Sequence, residues 1–334
     1  MPKKKKKLSK AKKHRLLKAA VLLIVLIILF IVLCYLTPGE SDTLSASGEY
    51  THLELPAPVK GEQIVEHTGY ILSYNEEAEQ PSYVCYELTR EEVYGALDRA
   101  DDFREDKSIR TGSAILSDYK GSGYDRGHMA PAADFKWSAE AMSDTFYLSN
   151  MSPQVPSFNR GIWGDLEAVV RQMAVDNEKI CVATGPVLTD GPYKTIGKNN
   201  VAVPNQYYKV ILDYTDPDIK AIGFVLPNSD KTEKLETYIM SVDEVEEITG
   251  LDFFYQLPDE EEAVIESSVD VSKWNLKPYT GTKDENRTLI DNPVAGTGDQ
   301  SEVLDLFLEV FTRFRHEVFA LLGITDIARS LGLI

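Results

Sequence analysis

The sequence has few cysteines, and none of them is spaced as a structural zinc site requires. Only three occur in 334 residues, Cys34, Cys85 and Cys181, and no two form a Cys-x-x-Cys pair. A small disulfide-stapled domain and a zinc ribbon are therefore excluded. The composition, 43% hydrophobic and 26% charged, also excludes a fibrous or disordered chain and suffices for one large domain or two modest ones.

Basic residues are scarce outside the first 18 positions. Residues 1–18 contain nine Lys, one Arg and no acid, while the whole chain carries a formal charge of −18. Subtracting this +10 leaves about −28 on residues 19–334. A strongly basic surface over the rest of the chain is thus excluded, and any anion-binding site must be local.

One long uncharged run separates these two parts. Residues 19–36 form 18 consecutive uncharged positions, which as a helix would span about 27 Å, close to the hydrocarbon core of a bilayer. The basic segment 1–18 precedes it, so the positive-inside rule predicts a single-pass anchor in the cell membrane, with 1–18 in the cytoplasm and the remainder outside. The alternative is a signal peptide cleaved near Ala46, which would release a secreted protein.

The outer part divides into a stalk and a folded domain. Residues 37–60 are rich in Ser, Thr, Gly, Pro and Glu, which is typical of a stalk, and residues 61–275 are predicted to form the main domain. Four β-rich runs bounded by turn residues predict strands at 82–88, 179–184, 206–212 and 221–226. Apolar residues at three- and four-residue spacing predict helices at 91–99, 160–176 and 234–249. The mixture predicts an α+β fold with a mainly antiparallel sheet.

The C-terminal part has a different composition. Residues 276–300 are polar and rich in turn residues, which is typical of a linker, and residues 301–334 have an apolar stripe at helical spacing. We expect this amphipathic segment to pack on its own domain or on a second copy of the chain, as a homodimer. Binding to a membrane surface is the alternative.

Chemically active residue types concentrate between Gly123 and Gln154. A nine-residue segment from Gly123 holds two charges, a histidine, two glycines and a proline, and Ser149 to Gln154 form a second polar stretch. Polar or aromatic residues then follow at intervals of four, which places them along one helical face: Asn159, Trp163, Glu167 and Arg171.

Each of these residues also has an ordinary structural interpretation. His128 alone is typical of a hydrogen-bonded core histidine, Asn159 of a helix N-cap, and Glu167 with Arg171 of a surface ion pair. Their combination and order favour a functional site. Cys85 and Cys181 lie in apolar strands and are interpreted either as free thiols or as a pair.

The combined motifs resemble the DNA/RNA non-specific endonuclease family, over residues 65–275. The resemblance rests on six motifs in the family's order: Asp125-Arg126-Gly127-His128 with Ala130-Pro131, Ser149-Asn150 with Pro153-Gln154, Asn159 to Glu167, Thr184-Gly185-Pro186, Val203-Pro204 with Tyr208-Lys209, and Pro227-Asn228. Together with the predicted anchor, they resemble the membrane-bound DNA-entry nucleases of bacteria. The implied fold is the ββα-metal nuclease fold, with His128 on a strand and a divalent ion between it and the Asn159 helix.

The resemblance also implies roles for individual residues. His128 is expected to be the general base, since its ordinary pKa near ~6.5 suits it to take a proton from water at neutral pH. Asn159 is the expected metal ligand, and Mg²⁺ is the expected ion, with Mn²⁺ as a possible substitute, because a single amide is a poor ligand set for zinc.

Glu167 cannot bind the same ion directly from a regular helix. Eight helical residues separate it from Asn159 by about 12 Å. We therefore expect Asn159 to precede or begin an irregular first turn and Glu167 to contact the metal through water.

Arginines and the residues around His128 complete the expected site. Arg126 and Arg171 are candidate donors to phosphate oxygens, and Arg99 is the candidate for a further phosphate-binding arginine of the family, with Arg104 as its alternative. Asp125 and Gly127 are expected to support the turn.

The expected activity is sequence-non-specific hydrolysis of phosphodiester bonds in DNA and RNA outside the cytoplasmic membrane. No recognition-helix or zinc-finger pattern occurs, so contacts to phosphate and sugar are expected. The acidic residues are expected to lie away from a local cationic cleft. The alternatives are a catalytically weak, membrane-anchored receptor for nucleic acids and a surface assembly module built on residues 301–334.

Overall fold

An antiparallel sheet forms the centre of the fold. The computed structural model describes residues 52–215 and 218–281. Within them, seven strands pair in the order β1-β2-β3-β6-β9-β10-β11, and every neighbouring pair is antiparallel. The strands are β1 (Gln63–Glu66), β2 (Ile71–Asn75), β3 (Gln80–Thr89), β6 (Lys179–Pro186), β9 (Gln206–Asp213), β10 (Lys220–Pro227) and β11 (Ile239–Met240). The prediction of a mixed fold with a mainly antiparallel sheet is confirmed.

Two further strand pairs lie outside this sheet. β4 (Asp125–His128) pairs with β5 (Met151–Gln154), and β7 (Lys194–Ile196) pairs with β8 (Val201–Val203), each pair antiparallel. The β4–β5 pair carries both polar stretches singled out in the sequence.

The strand period separates two apolar layers. Along β3, Val84 and Tyr86 belong to one buried cluster, while Tyr83 and Cys85 belong to the other. Successive side chains of a strand point to opposite faces, so the two clusters lie on opposite faces of the sheet. Both faces of the sheet are therefore buried, which accounts for the nearly continuous apolar runs of the strands.

Helices cover both faces. They are α1 (Arg90–Val93), α2 (Leu116–Tyr119), α3 (Ala139–Asp144), α4 (Pro156–Phe158), α5 (Gly164–Asn177), α6 (Val242–Thr249) and α7 (Asp259–Glu266), with a π-helical turn, Asn159–Trp163, joining α4 to α5. Leu166 and Val170 of α5 pack in the cluster of Val84, and Val245 of α6 and Ile265 of α7 pack in the cluster of Cys85. α5 is thus separated by the sheet from α6 and α7.

The four predicted strands are all present, each extended by one or two residues at one or both ends, but all three predicted helices have other bounds. The helix predicted at 91–99 ends at Val93, because the chain then passes so close to Lys136 at Gly95 that a side chain would collide with its backbone. The helix predicted at 234–249 is interrupted by β11, whose Met240 pairs with Gly223 of β10. α6 begins only after Ser241, whose side chain caps it.

The packed part of the chain extends beyond the predicted domain bounds of 61 and 275. Leu53, assigned to the stalk, is buried in the second apolar cluster, and the Ala57 backbone N–H donates to the Asp252 carbonyl. At the other end, Tyr279 donates its backbone N–H to Ala168 and packs on the first cluster.

The remaining predictions fall on residues 1–51 and 282–334. The basic segment, the anchor at 19–36, most of the stalk and linker, and the segment 301–334 lie outside the described residues. Among the residues that are described, no helix combines the length and apolar character needed to cross a membrane. Cys85 and Cys181 are buried free thiols.

Candidate active site

Asp125 connects the β4–β5 pair to the irregular turn before α5. Its Oδ2 accepts hydrogen bonds from Nδ2 of Asn159 at 3.0 Å and from Nε of Arg160 at 2.8 Å. Nη2 of Arg160 also donates to Asp125 Oδ1 at 2.7 Å, which completes a bidentate pair. The carboxylate binds the amide nitrogen of Asn159 and so leaves its carbonyl oxygen free for another partner.

The turn containing Asn159 is irregular, as the position of Glu167 required. Gly161 has φ −105° and ψ −117°, which lie outside the helical region, and residues 159–163 form a wide π-helical turn before α5 begins at Gly164. Such turns occur frequently at functional sites. Asn159 therefore does not lie on the same regular helix as Glu167.

His128, at the end of β4, is enclosed by aromatic rings. Its ring makes edge contacts with Phe146 and Phe103, at centroid distances of 5.1 and 5.7 Å. Its Nε2 is buried and has no hydrogen-bond partner among the described residues. Burial, followed by the charges of Arg99 and Arg126, lowers the pKa of His128 to about 3. The imidazole is thus neutral at pH 7 and able to accept a proton.

Two arginines pack on the outer sides of these rings. The guanidinium of Arg126 lies 4.1 Å from the Phe103 ring centroid, and that of Arg99 lies 4.7 Å from the Phe146 ring centroid. Arg99 is exposed and pairs with Asp101. Both arginines are held near His128 by cation–π contacts.

Arg104, the alternative to Arg99, has other partners. It donates to the Ser143 carbonyl at 2.7 Å and to Asp102 at 2.8 Å, and it lies 3.9 Å from the Tyr147 ring centroid. Its charge is not among those that shift the pKa of His128. The geometry therefore favours Arg99 as the arginine associated with the site.

Arg171 is held by a buried partner that the sequence analysis did not identify. Its Nη1 donates to Asp134 Oδ1 at 2.8 Å, and the Tyr86 hydroxyl donates to the other oxygen at 2.8 Å. Asp134 is fully buried and Arg171 only 14% exposed. The surface ion pair with Glu167, which was the ordinary structural interpretation of these two residues, is not formed. Arg171 instead forms a buried ion pair, with its charge beside Glu167.

Glu167 lies between charges of both signs. Burial raises the pKa of its carboxyl, and the nearby Lys209 and Arg171 oppose that increase. Lys209 is completely buried on β9, where it donates to Thr184 Oγ1 at 3.1 Å and lies 4.6 Å from the Trp163 ring centroid. Burial lowers the pKa of Lys209, and the attraction of Glu167 opposes that decrease.

Gly127 is needed because β5 approaches β4 closely. A Cβ atom at this position would overlap the side chain of Gln154. Gln154 is buried, and neither its Oε1 nor its Nε2 has a partner among the described residues. The absence of a side chain at Gly127 thus admits Gln154 beside the strand.

A cavity borders this cluster on the side of Asp125 and Arg126. Its volume is about 340 Å³, and its other lining residues are Leu116, Tyr119, Lys120 and Tyr124. Pockets that hold small organic groups begin at about this size.

The oxygen atoms of the site fit a divalent cation. The side-chain Oδ1 of Asn159 and the carboxylate of Glu167 accept no hydrogen bond from residues 52–215 or 218–281. Oxygen ligands of this kind suit Mg²⁺ or Ca²⁺, whereas zinc favours nitrogen and sulfur. Asn159 is therefore a residue that could hold such an ion, and its hydrogen bond to Asp125 orients the amide so that Oδ1 is the free atom.

Comparison with known proteins agrees with this geometry. Residues 49–260 match the sequence profile described as DNA/RNA non-specific endonuclease. Human mitochondrial endonuclease G is 38% identical over 205 residues, covering 57% of this chain and 69% of the relative. A nuclease of Syncephalastrum racemosum is 37% identical over 245 residues, with coverages of 66% and 77%.

A solved structure shares the fold. A chain in the crystal structure of the EndoG/EndoGI complex superposes with a TM-score of 0.57 at 36% identity, over 65% of this chain and 95% of that one. The profile match spans most of this chain and includes all the residues described around His128 and Asn159. The chain therefore belongs to the DNA/RNA non-specific endonuclease family.

Proposed function

We propose that the protein is a divalent-metal-dependent nuclease that hydrolyses phosphodiester bonds, with His128 as general base. The observation that carries the proposal is the buried, unpartnered Nε2 of His128. The ring of His128 lies against Phe103 and Phe146, which contact Arg126 and Arg99, and it ends the strand whose Asp125 orients Asn159. Family membership supports the reaction class.

Each step that we propose uses a group described above. His128 takes the proton of the attacking water, and its lowered pKa keeps it unprotonated for this purpose. Arg126 and Arg99 bind phosphate oxygens beside it and neutralise the charge that develops on the phosphorus centre. Arg171 acts indirectly, because its contact with Asp134 is a buried ion pair.

We propose Mg²⁺ as the ion, with Mn²⁺ as a possible substitute. A bound divalent ion supplies Lewis-acid stabilisation of the phosphate and of the departing 3′ oxygen. Asn159 would bind it directly and Glu167 through water. The free oxygens of both residues support this assignment.

The substrates that we propose are DNA and RNA without sequence preference. The groups near His128 are arginines suited to phosphate, and the cavity beside Arg126 has the partly exposed Tyr124 in its lining. Aromatic rings can stack on any base, so they do not select a sequence.

We also propose that the nuclease domain is held outside the cell membrane by residues 19–36. The 18 uncharged residues and the ten basic residues before them support this topology. Secretion after signal cleavage is the alternative.

The proposed function is tested with purified full-length protein, plasmid DNA and RNA, in magnesium or in chelator. Replacement His128→Ala should lower kcat by about 10² to 10⁴ while leaving KM nearly unchanged, because it removes proton transfer and no phosphate donor. Chelator should abolish cleavage by the unmodified protein, and magnesium should restore it.

The matched control is His52→Ala, which removes a histidine whose side chain is 57% exposed and contacts Glu54. It should cleave normally. A folded His128→Ala protein with near-normal kcat would remove His128 from the mechanism, and cleavage that persists in chelator would contradict metal dependence.

A further inference from the structure

Three carboxylates converge on the sheet face opposite to α5. Asp243 and Glu246 lie on α6 and Glu266 ends α7, and one oxygen from each lies within 4.8 Å of the others. Among the described residues, no other group of three His, Cys, Asp or Glu side chains is as closely arranged. The sheet separates this group from the His128 site.

The most buried member of the group has an unsatisfied oxygen. Glu266 is only 4% exposed, and its Oε1 has no hydrogen-bond partner among the described residues. A buried carboxylate oxygen without a partner is strongly destabilised by desolvation unless it is protonated or bound by a cation. The described residues therefore provide no partner for Glu266 Oε1, which leaves that oxygen available to a bound cation.

The surrounding charges increase this cost. The charges that act most strongly on Glu266 are all carboxylates: Glu246, Glu262, Asp243 and Asp252. Burial first, and these charges next, raise the pKa of Glu266 to about 9. Like charges at such distances repel strongly in a partly buried site, and a cation relieves the repulsion.

Local contacts fix the start of α6 and the Glu246 carboxylate without the ion. The Ser241 side chain and Glu244 form a capping box that fixes the first turn of α6, next to Asp243. Oε1 of Glu246 accepts the Phe253 backbone N–H at 2.6 Å, which ties the carboxylate to the returning loop. Preorganised ligands lose little conformational entropy when they bind.

We propose that Asp243, Glu246 and Glu266 form a calcium-binding site that stabilises the contact between α6 and α7. Calcium binds six to eight oxygens in flexible geometry, whereas magnesium requires near-ideal octahedral geometry and retains most of its waters. An all-carboxylate group without nitrogen or sulfur disfavours zinc. Water and further carboxylate oxygens complete the coordination of the ion.

The test is calcium binding and thermal unfolding of full-length protein in a fixed excess of magnesium, so that the His128 site does not contribute. Calcium at about 100 times its Kd should raise Tm by about 5 °C or more. Glu266→Gln and Asp243→Asn should abolish that increase. Asp243 is exposed, so Asp243→Asn tests the proposal even if Glu266→Gln does not fold.

The matched control is Glu260→Gln, which removes an exposed carboxylate from the same helix α7. It should retain the calcium-dependent increase in Tm, and equilibrium dialysis should show one calcium fewer bound in Glu266→Gln than in Glu260→Gln. An unmodified protein whose Tm does not respond to calcium would overturn the proposal. An equal response in Asp243→Asn would overturn it as well.

Discussion

Asp125 has more influence on the site than its position beside the histidine motif indicates. It binds the amide nitrogen of Asn159 and both ends of the Arg160 guanidinium fork. A supporting role for Asp125 could be predicted from the sequence, since this residue begins a recognisable motif. Its two partners lie 34 and 35 positions further along the chain, and no local pattern indicates those contacts.

Replacement Asp125→Asn should raise the magnesium concentration needed for half-maximal kcat by about 10- to 100-fold, as for other partners that orient a metal ligand. The amide lacks the charge that holds Arg160 and can itself donate to the Asn159 oxygen. The measurement is kcat against magnesium concentration. Asp165→Asn, an exposed carboxylate at the start of α5, is the control and should behave normally; an unchanged magnesium requirement in Asp125→Asn would contradict this role.

Two residues of the site were given no role from the sequence, although Lys209 belongs to one of the motifs that carry the family resemblance. Lys209 lies within an apolar strand, where the period of two predicts an inward side chain but not its partner Thr184 on the neighbouring strand. Asp134 follows the histidine motif in a 3₁₀ turn, and its pairing with Arg171 joins residues 37 positions apart. Local spacing predicted the composition of the site, whereas these contacts depend on the sheet register.

At the scale of elements, strands were easier to predict than helices. Strand predictions succeeded because apolar β-branched runs end at clear turn residues, as at Pro186 and Pro227. The helix predicted at 160–176 begins instead at Gly164, since Gly161 has non-helical dihedral angles that the surrounding apolar spacing does not reveal. Helical periodicity therefore predicted the buried face but not where the helix begins.

Asp106 connects three elements around the site. It accepts from His67, from the Ser149 hydroxyl at 2.6 Å and from the Ser108 backbone N–H at 2.8 Å, so it joins the β1–β2 turn to the segment before β5. Burial opposes ionisation of Asp106, but the hydrogen bonds outweigh it, and its pKa is lowered.

Replacement Asp106→Asn should lower the free energy of unfolding at pH 7 by about 1–3 kcal/mol. A carboxyl with a lowered pKa stabilises the fold above its unfolded pKa of about 3.9 and loses that effect as the pH falls through the folded value. The difference in free energy of unfolding between the unmodified protein and Asp106→Asn should therefore shrink below about pH 4. Urea unfolding at several pH values measures it, with exposed Asp98→Asn as control; a constant difference down to pH 3 would exclude the carboxylate as its source.

At the scale of the whole molecule, the protein is acidic and its proposed substrate is a polyanion. The formal charge is −18, whereas the charged groups that act on His128 are the guanidinium groups of Arg99 and Arg126. The charged neighbours of Glu266 on the other face of the sheet are carboxylates. This arrangement agrees with the expected separation of acidic residues from a small cationic site.

The two phosphate contacts proposed for Arg99 and Arg126 predict that DNA binding depends only weakly on salt concentration. For duplex DNA, the slope of log K against log salt should be about −2, from about −0.9 per contact. Fluorescence anisotropy with the His128→Ala protein measures it without cleavage. Adding Arg99→Ala should reduce the magnitude of the slope by about 1, while Arg110→Ala, an exposed arginine, should not. A slope of about −5 or steeper would indicate an extended cationic surface instead.

The two free thiols of the central sheet also allow local opening of the fold to be measured. Cys85 lies on β3 and Cys181 on the neighbouring β6, with exposures of 1% and 7%. Burial raises the pKa of both thiols, so neither provides a reactive thiolate in the folded protein. A thiol reagent can reach them only when the apolar cluster that encloses them on this face of the sheet opens, so their labelling rate follows that opening rather than motion at the exposed surface.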